Sequence, residues 1–104
     1  MAKFSLTTLA KNDLLEIGIY TLEKWDITQK QIYLAKLNAR FQWLADNPLL
    51  GSSKDEIEAG CRSFTEGKHT ILYRIADNNT IEIICIPYQS MDIEQHLGIS
   101  KETP

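Results

Sequence analysis

The stretch from Gly60 to Arg74 constrains the fold more than any other part of the chain. Its two halves, Gly60-Cys61-Arg62-Ser63-Phe64 and Gly67-Lys68-His69-Thr70-Ile71-Leu72-Tyr73-Arg74, alternate apolar and polar residues. A period of two is the pattern of a half-buried strand, and a glycine between two such runs marks a turn. A strand pair is therefore expected. It carries Arg62, Lys68, His69, Tyr73 and Arg74 on a chain whose formal net charge is -3. A local excess of positive charge against a negative background predicts a cationic sheet face.

What flanks this pair sets the rest of the architecture. Phe4 to Leu6 reads as a short strand, and Thr7 or Thr8 can cap a helix behind it. Ala10, Leu14, Ile17, Thr21 and Trp25 then recur at helical spacing and form a core-facing stripe, with Trp25 expected in the core and Gly18 allowing close approach. In the second helix, Thr28 and Gln31 match a capping box, and Ile27 and Ile32 match a hydrophobic staple. Leu34, Leu37, Phe41 and Leu44 form its buried stripe, and Asn47-Pro48 ends it. Helices joined this closely must lie antiparallel. Residues 49–59 read as a polar loop.

Strands are expected over 62–64, 70–75 and 81–87, the last two joined by the turn residues Asp77-Asn78-Asn79. The near-continuous apolar run 81–86 suits a strand inside the sheet. A short helix over 91–97, stopped by Gly98, completes the order β-αα-βββ-α. The expected fold class is α+β, with a helical hairpin on one face of a small, mostly antiparallel sheet and the other face partly open.

With 104 residues, 43% of them apolar and 24% charged, the chain fits one domain over residues 1–98 and a flexible tail over 99–104. No run approaches the roughly 18 apolar residues needed to span a bilayer, and the N-terminus lacks a secretory pattern, so a cytoplasmic protein is expected. The acidic balance opposes a large phosphate-binding surface, so direct nucleic-acid binding is not expected. Cys61 and Cys85 lack ligand or CxxC spacing and read as buried thiols, with no cofactor or metal implied. His69 and His96 match no ligand pattern either.

Several strings together resemble the ParE branch of the RelE/ParE toxin superfamily, from about Leu6 to Leu97. They are Ala10-x-x-Asp13-Leu14-x-x-Ile17-x-x-Tyr20, Trp25-Asp26, Gln31-x-Tyr33, Leu44-Ala45-x-Asn47-Pro48-x-x-Gly51, Gly60-x-Arg62-Ser63-Phe64, Gly67-x-His69-x-Ile71-x-Tyr73-Arg74 and Met91-Asp92. The resemblance implies the toxin of a type II toxin-antitoxin pair, in a hetero-oligomer with a ParD-like antitoxin. It also implies inhibition of DNA gyrase, through its GyrA subunit, by binding and without catalysis. Candidate antitoxin- or target-binding residues are Arg62, Phe64, His69, Tyr73, Arg74, Tyr88, Met91 and Asp92.

The chain departs from the family pattern at Cys85, Pro87 and Tyr88, where many members carry an arginine and then a leucine-histidine pair. Two alternatives stay open at this point. One is a RelE-like ribosome-dependent endoribonuclease, which would recruit Arg62, Lys68, His69, Arg74 and Tyr88 as acid, base and phosphate-neutralising groups. The other is an inactive relative that only binds an antitoxin.

Overall fold

A computed structural model of the chain describes residues 2–77 and 79–98. The elements run β1 (Lys3–Leu6), α1 (Thr8–Lys24), α2 (Ile27–Asp46), β2 (Ser52–Ser53), β3 (Cys61–Glu66), β4 (His69–Asp77), β5 (Thr80–Cys85) and α3 (Ile93–His96). They form one sheet in the order β1-β5-β4-β3-β2. β1 joins β5 in parallel and every other pairing is antiparallel. The apolar run of β5 thus lies inside the sheet, as its composition requires. β2 was not foreseen. Ser52 and Ser53 ladder onto Ser63 and Arg62, so the expected loop contributes a short edge strand.

Thr7 begins α1. Its hydroxyl oxygen accepts the Ala10 N–H at 3.0 Å and donates to the Ile84 carbonyl at 2.6 Å, joining the helix start to β5. α2 starts earlier than the Thr28–Gln31 pattern implies, because the Asp26 carboxylate accepts the Gln29 N–H at 2.8 Å and caps the helix two residues upstream. The staple does not form either: Ile27 and Ile32 are both exposed. Trp25 is a further correction. It sits at the C-cap with φ −125° and ψ −108°, so the chain leaves the helix there and the indole departs from the buried stripe, 70% exposed.

The hairpin packs on one sheet face. Ala10 and Ile17 of α1 and Leu37, Phe41 and Leu44 of α2 meet Ile71, Tyr73, Ile81 and Ile83. The opposite face holds a second cluster of Cys61, Leu72 and Cys85, partly covered by Ile57, Ile93 and Leu97. A bulge shifts the alternation near the end of β5. Leu72 pairs with Cys85 but Tyr73 pairs with Ile83, which leaves Ile84 as the surplus residue. Cys85 therefore joins the far cluster while Ile83 faces the helices. Both cysteines are free thiols, and burial pushes Cys85 up to about 12.

Asn78 of the expected 77–79 turn and the tail 99–104 lie outside the described residues. Among the described residues, no helix is long and apolar enough to cross a membrane.

Candidate functional site: an aromatic groove between α1 and the β3–β4 turn

Glu66 pairs with His69, so β3 and β4 are joined by the two-residue loop Gly67-Lys68. Gly67 has φ +58°, and among the described residues no non-glycine has positive φ. Glycine at the first loop position is what a type II′ hairpin turn requires. Tyr33 of α2 sits directly under this turn. Its hydroxyl accepts the Lys68 N–H at 3.3 Å and lies 2.6 Å from His69 Nδ1. A Cβ on Gly67 would fall 2.8 Å from that same hydroxyl, so glycine is needed here twice over.

His69 is buried, and burial pushes its imidazole below the usual range, opposed by the Asp13 charge. It is therefore neutral near pH 7. The chain leaving β5 runs beside the start of β4: Thr70 N–H donates to Pro87 O at 2.9 Å and Gln89 N–H to Lys68 O at 2.7 Å. This places Tyr88 against His69, with ring centroids 4.9 Å apart. Tyr20 of α1 meets Tyr88 edge-on at 6.3 Å.

Two adjoining hollows flank the Tyr20–Tyr88 contact, about 260 and 300 Å³ in volume, and both are walled by Tyr20, His69 and Tyr88. The first extends to Glu16, Ile17, Pro87, Met91 and His96. The second extends to Lys24, Trp25, Gln29, Tyr33 and Lys68. Asp13 underlies the first. Its carboxylate is buried, accepts the Ile86 N–H at 2.8 Å and bonds His96 Nε2 at 2.8 Å. One carboxylate thereby ties α1 to the end of β5 and to α3, whose own start is capped by Asp92.

The structure sorts the sequence candidates into three places. His69, Tyr88 and Met91 line the groove, and Asp92 caps α3 beside it. Phe64 lies elsewhere: its ring packs 5.1 Å from Trp43, and the Arg40 guanidinium stacks on both rings at 4.7 and 4.8 Å while bonding Glu66 at 2.7 Å. Arg62 and Tyr73 form a latch under the loop after α2. Arg62 Nη1 donates to Gly51 O at 2.8 Å, while the Tyr73 hydroxyl donates to Pro48 O at 2.7 Å and accepts the Gly51 N–H at 2.9 Å.

The expected cationic face is overturned. Arg62 pairs with Tyr73 and shares its helix-facing side, whereas Arg74 is the next residue on β4 and pairs with Cys61 on the far side. Strand alternation alone separates the two guanidinium groups. Arg74 is moreover held by Glu82 at 2.7 Å and Glu58 at 3.4 Å.

Asp13 and His96 carry the base of the groove, and sequence reasoning did not place them there. They are 83 positions apart, so only the docking of α3 brings them together. Tyr20 and Tyr33 were visible only as parts of the matching strings.

The family model described as "ParE toxin of type II toxin-antitoxin system, parDE" matches residues 4–93. The chain is 32% identical over 96 residues to Toxin ParE1 of Mycobacterium tuberculosis (strain H37Rv), covering 92% of this chain and 98% of that one. It is 33% identical over 98 residues to Toxin ParE1 of Caulobacter vibrioides, covering 94% and 100%. A solved structure titled "Chromosomal ParDE TA system from P. aeruginosa" shares the fold with a TM-score of 0.70 at 17% identity, over 85% of this chain and 96% of that one. The family model and the relatives both extend along nearly the whole length, and the chain belongs to the ParE toxin family of type II toxin-antitoxin systems.

Proposed function

We propose that this chain is the toxin of a type II toxin-antitoxin pair, acting in the cytoplasm by binding DNA gyrase and silenced by a ParD-like antitoxin in a hetero-oligomer. The observation that carries this reading is family membership over residues 4–93, together with 32 to 33% identity to proteins named Toxin ParE1. The groove lined by His69, Tyr88 and Met91, with Asp92 at its margin, is the candidate contact surface. Aromatic walls around adjoining hollows suit the anchoring side chains of a protein partner.

The same geometry supports binding over chemistry. Phosphodiester cleavage needs a proton acceptor and cations converging on one phosphate. Here the His69 Nδ1 is engaged by Tyr33, Arg62 by the Gly51 carbonyl and Arg74 by two carboxylates on the opposite face. Both arginines are thus held away from the groove, where only Lys68 and Tyr88 of the other candidates stand beside His69.

Two measurements test the reading. Tightly controlled expression without the antitoxin should arrest growth with filamentation, and the purified chain should inhibit supercoiling by purified gyrase. Arrest with rapid loss of messenger RNA and an untouched gyrase reaction would replace this function with ribosome-dependent cleavage.

A further inference from the structure

The two ends of the groove differ in charge. At one end Glu16 stands over the apolar lining of Ile17, Pro87 and Met91. At the other, Lys24 and Lys68 stand beside Trp25 and Tyr33. Among the described residues, no ion pair within the chain neutralises Glu16, Lys24 or Lys68, whereas Arg40, Arg74 and His96 are each paired. Lys24 lies 5.9 Å from the centre of the Tyr20 ring, so its ammonium already leans over the saddle between the hollows.

We propose that this groove takes an extended polypeptide segment with an acidic side chain at one end, an apolar one over the Tyr20–Tyr88 saddle, and a basic one at the other end. The acidic group would meet Lys24 and Lys68, and the basic group would lay its aliphatic stem on Met91 and Pro87 with its charge at Glu16. The spacing follows from α1. Glu16 and Lys24 are separated by eight helical residues, about 12 Å of rise. An extended chain covers about 3.3 Å per residue and turns every second side chain to the same face. Acidic, apolar and basic residues at positions i, i+2 and i+4 therefore span the groove on one side of a strand.

The ends also argue against a nucleic-acid strand. Its phosphates would be welcome only at the lysine end, and Glu16 together with the net charge of -3 opposes its extension. This inference rests on the groove being a protein-binding surface, but its test needs neither toxicity nor gyrase.

Four capped probes decide the matter, titrated against the full chain and followed by NMR shifts of the Tyr20 and Trp25 rings. They are the peptides glutamate-serine-leucine-serine-arginine, its all-acidic and all-basic counterparts with charge at both ends, and a uridine hexanucleotide. The mixed-charge peptide should bind roughly three- to tenfold more tightly than either counterpart. A Lys24→Glu/Lys68→Glu chain, acidic at both ends, should reverse the order and prefer the all-basic peptide. The proposal is overturned by equal affinity for the three peptides, by no shift with any of them, by tighter binding of the hexanucleotide, or by an order that the double variant leaves unchanged.

Discussion

Two regions of this molecule combine tyrosine with a cationic side chain and reach opposite ends. Under the loop after α2, the Tyr73 hydroxyl and the Arg62 guanidinium are engaged by backbone groups of Pro48 and Gly51. In the groove, Tyr20 and Tyr88 meet edge to face while Lys24 and Lys68 remain outside the chain's own ion pairs. The difference teaches where to look for function. A polar group whose partners are all internal holds the fold, and one left facing a concave aromatic wall is available to another molecule. Substitutions in the latch should therefore cost stability and spare binding, and substitutions along the groove rim should do the reverse.

The largest effect is expected beneath the groove. Asp13→Ala leaves the Ile86 N–H and His96 without their buried partner, and the two lost hydrogen bonds should lower unfolding free energy by about 2 to 5 kcal/mol in urea titration. A loss under 1 kcal/mol would mean that α3 is anchored by its apolar contacts alone. Next, Tyr73→Phe removes the hydroxyl that serves both Pro48 O and Gly51 N–H, at a cost of about 1 to 3 kcal/mol. Its binding to partners should be unchanged, and a marked loss in a folded variant would erase the contrast between the two regions.

A third prediction concerns acid. Because burial lowers the His69 value in the folded chain, the unfolded chain binds the proton first as pH falls. Stability should be fully present above the unfolded value of about 6.5 and decline as pH drops below it toward the folded value. In His69→Gln that part of the slope should vanish, which denaturation at a series of pH values would reveal. Finally, Trp25→Ala removes an exposed ring from the C-cap of α1 and should change stability by no more than about 0.5 kcal/mol. It should nevertheless weaken whatever occupies the lysine end of the groove, and calorimetric titration with that partner tests this.

The sequence carried much of the architecture because its signals were local or periodic. Thr7 as a cap, Asn47-Pro48 as a helix stop and the apolar run of β5 all act through their immediate neighbours. Trp25 misled because a helical stripe says nothing about the residue at which the helix unwinds. Periodicity did choose the right side of α1: Ala10, Ile17 and Thr21 are buried and Leu14 packs against the core, although Leu15, Ile19 and Leu22 share helical spacing and are exposed. The arginines misled for a different reason. Arg62 and Arg74 are near in sequence, but antiparallel register decides which positions share a face, and it pairs Arg62 with Tyr73. The groove was legible only in part, since the Asp13–His96 contact depends on where the last helix docks.

The surplus residue at Ile84 sets a parity. Upstream of it, odd-numbered β5 positions belong to the helical side, and beyond it Cys85 belongs to the other. Deleting Ile84 would restore plain alternation with Cys85 still opposite Leu72, whereas one residue inserted after Cys85 would turn over the segment that follows, up to the Tyr88 wall. Relatives should therefore tolerate insertions between β2 and β3 far more readily than at the end of β5.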